Sequence, residues 1–174
     1  TDTELICITQ NETSNGTQVT AASILNLHNR FRDTLTAVDA TSSMAGLNLK
    51  YIKADIWFAS VQKCFGLPPG LGLLICSPRA IFRAKQMNER NHYNSLVSLY
   101  EKMLNYQTVH TPNTLNIYLL KRMLEDRPFI KQLDIDLVDR ANELYEFFGQ
   151  FTEFKLLIEN EEVRSKTVVV LEAN

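Results

Sequence analysis

This sequence has few cysteines, few histidines and little net charge, and each of these features argues against a class of function. Three cysteines and three histidines occur among 174 residues, and their spacing fits neither a zinc site nor a redox pair. The formal net charge is -2, without the basic stripe expected for binding nucleic acid or a membrane surface. No apolar run approaches the roughly 20 residues that a membrane span needs. The sequence therefore predicts no metal, no nucleic acid and no membrane partner.

The sequence also lacks a recognisable secretory signal, which bears on where the protein works. Scattered thiols such as Cys7, Cys64 and Cys76 are typical of a reducing compartment. We therefore expect a cytoplasmic location. Because the chain begins at Thr1 rather than Met, we also expect the true N-terminus to lie upstream.

Short apolar runs alternate with segments of helical periodicity, which is the pattern of an α/β domain. A continuous apolar run such as residues 5–9 is typical of a strand buried on both faces. Ligands of such domains collect at the carboxyl ends of the parallel strands. The strands are expected at 5–9, 35–39, 54–59, 71–76 and 166–171, and the helices at 20–33, 78–87, 96–103, 114–125 and 136–154.

A lysine stands in the loop that follows the third predicted strand. Lys63 lies between Gln62 and Cys64, and a stretch rich in proline and glycine follows at 66–72. The glycines do not form a phosphate-binding loop, because no Gly-Lys-Ser/Thr sequence follows them. On composition alone, Lys63 is either a surface residue in a connecting loop or an amine displayed at the carboxyl edge of a sheet.

Three further polar segments each allow a structural and a functional interpretation. Asp39 ends a predicted strand, where it is either a turn former or a carboxylate directed at a ligand. Thr13 lies in a turn-like stretch, 11–17, whose hydroxyls and amides could hold a ligand oxygen. Asn113 and Thr114 precede a helix, where Thr114 is either a capping residue or part of an anion site.

Together these segments resemble the class V family of pyridoxal-phosphate-dependent aminotransferases. The resemblance covers essentially the whole chain, and its ordered set of motifs is more specific than any one of them. It is strongest for the phosphoserine branch, although Leu-Pro-Pro-Gly at 67–70 also resembles the alanine–glyoxylate and serine–pyruvate branch. The motifs are Asn-Glu-Thr-Ser at 11–14, Val-Asp-Ala-Thr-Ser-Ser at 38–43, Gln-Lys at 62–63 and Thr-Pro-Asn-Thr at 111–114.

The resemblance implies a role for several of these residues. Lys63 would carry pyridoxal 5'-phosphate as a Schiff base and would shuttle the substrate proton. Asp39 would pair with the protonated pyridine nitrogen, Thr13 would hydrogen-bond the phenolic oxygen, and Gln62 would contact the phosphate. These implied roles define a catalytic lysine surrounded by cofactor-binding side chains.

The resemblance also implies the assembly and the fold. Asn113 and Thr114 would reach the phosphate of a cofactor bound by a partner subunit, which implies a homodimer with shared active sites. The implied fold is the three-layer α/β large domain of fold type I, with a mostly parallel sheet. The large domain is expected to cover 1–157 and the C-terminal small domain to begin at 158–174, because the last predicted strand has no local partner. We expect the fold to be incomplete at both ends.

The implied reaction is amino transfer between a small-molecule amino acid and a 2-oxo acid. Phosphoserine and 2-oxoglutarate are the leading pair, which would serve serine biosynthesis. Three alternatives stay open: an alanine–glyoxylate or serine–pyruvate aminotransferase, a cysteine desulfurase-like member of the family, and an interaction module without activity. The desulfurases usually have His before the lysine, where this sequence has Gln62.

Overall fold

The structure, a computed structural model, describes residues 3–49 and 53–173. Strands predominate in its first half, and four consecutive helices and a short strand pair follow. The strands are β1 Leu5–Thr9, β2 Asn11–Glu12, β3 Thr17–Gln18, β4 Leu35–Asp39, β5 Ile56–Ser60, β6 Gly72–Cys76, β7 Phe154–Leu156 and β8 Leu171–Ala173. The helices are α1 Ala21–Arg30, α2 Pro78–Met87, α3 Leu96–Leu104, α4 Thr114–Asp126 and α5 Ile130–Phe148, followed by a 3₁₀ turn at Glu161–Val163.

Four strands form one sheet in the order β1-β4-β5-β6. The pairs β1–β4 and β4–β5 are parallel, and only β6 runs antiparallel to its neighbour. Helix α1 makes the crossover between β1 and β4, as a βαβ unit requires. The predicted α/β fold with a mostly parallel sheet is confirmed. Because β1, β4 and β5 share a direction, Thr9, Asp39 and Ser60 end them at one edge of the sheet.

The core lies around the two central strands and the segment that follows β4. Val38 of β4 is fully buried, Trp57 of β5 is 1% exposed, and Ile24 of α1 packs with them. The outer strand β1 behaves differently, since Leu5 is 45% exposed and Cys7 is also exposed. The expectation that this strand is buried on both faces is therefore wrong for the described chain. Its apolar run reflects strand propensity on an edge, where one face stays open.

Local capping fixes where the helices begin. The side chains of Thr20, Ser77 and Ser95 each accept a hydrogen bond from a first-turn amide of α1, α2 and α3. Helix α4 begins at Thr114 as predicted, but its cap is Asn113, whose side chain accepts from the Asn116 amide. The capping interpretation of Thr114 is wrong because Thr114 already has helical geometry as the first residue of α4.

The C-terminal third differs most from the sequence prediction. Helix α5 was expected at 136–154 but spans Ile130–Phe148, because the chain leaves the helix at Gly149 and Phe154 enters β7. The last strand is β8, and it pairs antiparallel with β7. The expectation of an unpaired final strand is therefore wrong. Local aromatic spacing extended the predicted helix through residues 149–153, which instead form the turn that leads into β7.

None of the helices within residues 3–49 and 53–173 combines the length and the apolarity that crossing a bilayer demands. The same residues contain no cluster of three or more His, Cys, Asp or Glu side chains arranged to hold a metal ion.

Candidate active site

Polar loops leave the carboxyl edge of the sheet and converge there. The β2–β3 hairpin follows β1, a buried turn follows β4, and the lysine loop follows β5. Backbone hydrogen bonds fix these loops to neighbouring strands: the Gln10 amide donates to the Asp39 carbonyl at 2.8 Å, and the Ala40 amide to the Phe58 carbonyl at 2.9 Å. Three segments distant in sequence are therefore held side by side.

The Lys63 amine sits on two hydroxyl groups at this edge. Lys63 Nζ donates to Thr13 Oγ1 at 3.0 Å and to Ser42 Oγ at 2.8 Å. The two hydroxyl oxygens are themselves 2.5 Å apart. The three polar atoms thus form a closed triangle built from the loops after β1, β4 and β5.

Ser42 is the one residue of this triangle that was not predicted from the sequence as a site residue. Ser42 is 5% exposed. Its carbonyl oxygen accepts hydrogen bonds from Thr167 Oγ1 at 2.6 Å, Asn11 Nδ2 at 3.3 Å and Cys64 Sγ at 3.4 Å. Asn11 Nδ2 also donates to Thr167 Oγ1 at 2.7 Å. A backbone held by three donors fixes the Ser42 hydroxyl. The only signal in the sequence was its place in the 38–43 motif.

Asp39 ends β4, the strand beside the one that leads to Lys63. The residue is half-buried, and its Oδ1 accepts from the Thr41 amide at 2.8 Å. This is the Asx turn of the structural interpretation. No hydrogen bond to its other oxygen is found in the described part of the chain. One carboxylate oxygen therefore shapes the turn, and the second has no partner within residues 3–49 and 53–173.

A cavity of about 420 Å³ opens beside the Lys63 amine. That volume is typical of small-molecule sites, which span roughly 300–1,000 Å³. Its walls include the predicted residues Thr13 and Lys63. They also include Arg127, which follows the last residue of α4, and Arg140 of α5, two cations that no local sequence signal marks as pocket residues.

The other predicted site residues lie outside the walls of this cavity. Gln62 is exposed in the turn that carries Lys63. Asn113 Oδ1 accepts from the Asn116 amide at 3.1 Å, and Thr114 is exposed at the start of α4. Within one chain the structure therefore brings Thr13 and Lys63 together at the cavity, while Asp39 remains on the adjacent strand end and Asn113 and Thr114 stay at the N-terminus of α4.

The loop after Lys63 is anchored to α4 by one buried amide. Asn116 is 1% exposed, and its Nδ2 donates to the Pro68 and Pro69 carbonyls, each at 3.1 Å. Gly70 follows with a φ of +114°, a conformation that L side chains rarely adopt. This combination of prolines, glycine and a buried anchor fixes the shape of the lysine loop.

The environment of the neighbouring thiol argues against a reactive cysteine. Burial raises the pKa of Cys64 above its ordinary value, although the charges of Arg127, Arg140 and Lys63 partly offset that rise. A thiol of raised pKa is a poor nucleophile at neutral pH. The raised pKa therefore argues against a nucleophilic role for Cys64.

Comparison with known proteins identifies the class. The sequence model of the family described as aminotransferase class-V matches residues 1–148. The chain therefore belongs to the class V aminotransferase family, and its fold is that of the pyridoxal-phosphate-dependent aminotransferases.

Individual relatives narrow the comparison. The chain is 29% identical over 126 residues to phosphoserine aminotransferase of Rhodococcus opacus, covering 70% of this chain and 33% of that protein. The crystal structure of a phosphoserine aminotransferase from Cytophaga hutchinsonii superimposes with a TM-score of 0.89 at 32% identity, covering 99% of this chain and 50% of that one. An alanine–glyoxylate aminotransferase from Nostoc shares the fold, with a TM-score of 0.79, 22% identity and coverage of 97% and 46%. The chain thus spans about a third to a half of the length of these relatives.

Proposed function

We propose that this chain contributes the active-site lysine of a pyridoxal-phosphate-dependent aminotransferase that moves the amino group between phosphoserine and 2-oxoglutarate. The observation that carries the proposal is the Lys63 amine, held by Thr13 and Ser42 at the carboxyl edge of the sheet. Parallel α/β sheets bind ligands at that edge. The similarity to phosphoserine aminotransferases supports the choice of substrate.

The residues present fit the proposed cofactor. Lys63 supplies an amine beside a cavity, Thr13 supplies a hydroxyl within 3.0 Å of that amine, and Asp39 supplies a carboxylate oxygen without a partner in the described chain. The amine can condense with an aldehyde, the hydroxyl can hydrogen-bond a phenolic oxygen, and the carboxylate can pair with a protonated ring nitrogen. Gln62, Asn113 and Thr114 are proposed as phosphate contacts, the last two toward a partner subunit.

The protein's part in the chemistry is to position groups and transfer a proton. Pyridoxal phosphate, when bound, supplies the aldehyde and the electron-accepting ring. We assign to Lys63 Nζ the removal of the substrate's α-proton, which it would pass on to the bound cofactor. Positioned acids and bases typically accelerate such proton transfer by about 10²–10⁴. Thr13 and Ser42 hold Lys63 Nζ, and the charge of Asp39 favours the protonated ring nitrogen.

The proposal extends to assembly, domain division and location. Large apolar side chains remain exposed on α3 and α4, among them Met103, Leu115 and Tyr118. Such surface is typical of interfaces and supports a homodimer with shared active sites. We further propose that residues 1–157 belong to the cofactor-binding domain and 158–174 begin the small domain. Free thiols at all three cysteines support a cytoplasmic location.

A labelling experiment tests the assignment of Lys63. Mixing the full-length protein with pyridoxal phosphate and reducing with borohydride is expected to attach the cofactor at Lys63, detected by peptide mass spectrometry. Lys63→Ala should lose the reducible absorption band and nearly all turnover. Lys121→Ala is the matched control, because Lys121 lies on the surface of α4 beside Glu125. Labelling elsewhere with unchanged turnover in Lys63→Ala would contradict the proposal.

Substrate preference of the same full-length protein distinguishes the leading proposal from the alternative within the family. The loop at 67–70 favours an alanine–glyoxylate or serine–pyruvate aminotransferase, and the alanine–glyoxylate aminotransferase from Nostoc shares the fold. Turnover of phosphoserine is compared with that of serine and alanine. Preference for phosphoserine supports the leading proposal, and preference for alanine or serine supports the alternative.

A further inference from the structure

The segment 164–170 packs against the loops that hold the active-site amine, although the proposed chemistry assigns it no task. It contacts the β2–β3 hairpin that carries Thr13, because the Ser165 amide donates to the Gly16 carbonyl at 2.8 Å. A Cβ added at Gly16 would lie 2.9 Å from Val170 Cγ2, so the hairpin accepts only glycine there without a shift. The segment and the hairpin are therefore in close contact.

Thr167 is the residue of this segment that reaches the turn after β4. Its Oγ1 donates to the Ser42 carbonyl at 2.6 Å and accepts from Asn11 Nδ2 at 2.7 Å. Asn11 is 3% exposed, and its own bond to the Ser42 carbonyl is longer, at 3.3 Å. Loss of the Thr167 hydroxyl would therefore break both short bonds and leave the buried Asn11 amide with the long one.

Thr167 is itself held firmly by its neighbours. Ser165 is fully buried, and its Oγ accepts from the Thr167 amide at 3.2 Å and the Val168 amide at 3.0 Å. The hydroxyl of Tyr145, on α5, donates to the Ser165 carbonyl at 2.9 Å. Helix α5 thus fixes the backbone from which Thr167 extends.

Ser42 connects this support to the Lys63 amine. Lys63 Nζ donates to Ser42 Oγ at 2.8 Å, and the position of the Ser42 backbone decides where that oxygen lies. Thr167 donates the shortest of the bonds to the Ser42 carbonyl. A misplacement of about 1 Å at a reacting group can cost about 10²-fold in rate, so even a small shift of Ser42 would matter to proton transfer at Lys63.

We propose that Thr167 is a positioning residue, which holds the Lys63 amine in place through the Ser42 turn. This inference rests on the proposed aminotransferase function, in which Lys63 Nζ transfers the substrate proton. Thr167 also lines the cavity beside the amine. Because a hydroxyl has a single hydrogen and Thr167 donates it to Ser42, it has none to donate to a ligand.

Kinetics of Thr167→Val in the full-length holoenzyme test this role, since valine keeps the shape of threonine without the hydroxyl. With the better of phosphoserine and alanine, we expect kcat to fall about five- to tenfold, the effect of one lost hydrogen bond, while KM stays within about twofold. Thr167→Ser keeps a hydroxyl and should keep kcat. Thr36→Val is the matched control, because Thr36 is fully buried in β4 and its hydroxyl has no hydrogen-bond partner among the residues that the structure describes.

A double-mutant cycle shows whether Thr167 acts through Ser42. In Ser42→Ala the hydroxyl that receives the amine is gone, whereas the carbonyl that Thr167 contacts remains. Thr167→Val should therefore lower kcat by less than about twofold in that background. An undiminished fall there overturns the proposal, because it indicates a direct contact with ligand or a general effect on the fold. A Thr167→Ser variant as slow as Thr167→Val overturns it as well.

Acylation of Lys63 gives a readout that does not depend on turnover. The full-length protein, freed of cofactor, is labelled with a trace of acetic anhydride, and peptide mass spectrometry gives the rate at each lysine. Thr167→Val should raise the rate at Lys63 about fivefold, because an amine released from a hydroxyl moves and reacts more freely. Thr167→Ser should leave it unchanged. Lys121, on the surface of α4, is the internal control.

The two readouts separate failure of the positioning role from failure of the function. If the unaltered protein turns over neither amino acid, the aminotransferase proposal fails, and the acylation rates alone decide whether Thr167 positions the amine. If turnover is normal but Thr167→Val leaves the acylation rate of Lys63 unchanged, the positioning role is refuted while the proposed function stands.

Discussion

Asp55 is the buried carboxylate whose removal should most disturb the fold. The residue is 3% exposed and accepts four hydrogen bonds: from the Thr36 amide at 3.0 Å, Ser77 Oγ at 2.9 Å, and Arg79 Nε and Nη2 at 3.1 and 2.7 Å. It therefore ties β4 to the beginning of α2. In Asp55→Asn, an amide NH₂ would face these donors and leave at least one of them without an acceptor.

The expected loss of unfolding free energy depends on how deeply Asp55 and Arg79 are buried. Breaking a fully buried ion pair typically costs about 3–5 kcal/mol, because the remaining charge is stranded. The Arg79 side chain is 39% exposed, so water can solvate much of its charge. We therefore expect Asp55→Asn to lower the free energy of unfolding by roughly 2–3 kcal/mol near neutral pH.

The loss should depend on pH with a definite sign. Burial raises the pKa of Asp55, but hydrogen bonds from Arg79, the Thr36 amide and Ser77 outweigh it and hold the pKa below the usual 3.8. A depressed folded-state pKa stabilises the protein fully above the unfolded pKa and less as pH falls through the folded value. The difference between wild type and Asp55→Asn should therefore be complete above about pH 5 and shrink below about pH 4.

Urea unfolding at several pH values measures this difference directly. Glu101→Gln is a suitable control, because Glu101 forms an exposed ion pair with Arg90 and should leave unfolding nearly unchanged at neutral pH. Two results would refute the reasoning: an Asp55→Asn loss below about 0.5 kcal/mol near neutral pH, or a loss that stays constant into acid.

Two further predictions concern the lysine loop. Ser42→Ala should lower kcat about tenfold by removing one hydrogen bond to Lys63 Nζ, while KM holds; Ser43→Ala, a buried neighbour without that contact, is the control. Equal effects of both substitutions on kcat would contradict a positioning role. Asn116→Ala should cost about 2 kcal/mol of unfolding free energy in urea, because two bonds to prolyl carbonyls disappear from a buried position. The exposed Asn105→Ala is its control, and an equal cost for both would contradict the anchoring role.

Local chemistry made several elements predictable. Helix α2 spans Pro78–Met87 as expected, because Ser77 caps it and Pro78 suits its first turn. Helix α4 begins at Thr114 as expected, behind Pro112 and Asn113. Class V membership was also predictable, because the order of the family's motifs along the chain can be read from the sequence without knowing the fold.

Elements that depend on distant partners were not predictable. The sequence between 10 and 18 indicated only a turn, yet β2 and β3 pair there. The last strand was placed at 166–171 but lies at Leu171–Ala173, because its register is set by β7. A strand's position depends on what pairs with it, and that information is not local.

What the sequence by itself determined is the set of groups available at the carboxyl edge: an amine at Lys63, a carboxylate at Asp39 and a hydroxyl at Thr13. Only the tertiary structure decided that Ser42, 21 residues away, joins Thr13 in holding the Lys63 amine. It also decided that Arg127 and Arg140 face the same cavity. Helix caps act within one turn, whereas a binding site forms from side chains that only the packed sheet and helices bring within hydrogen-bond range.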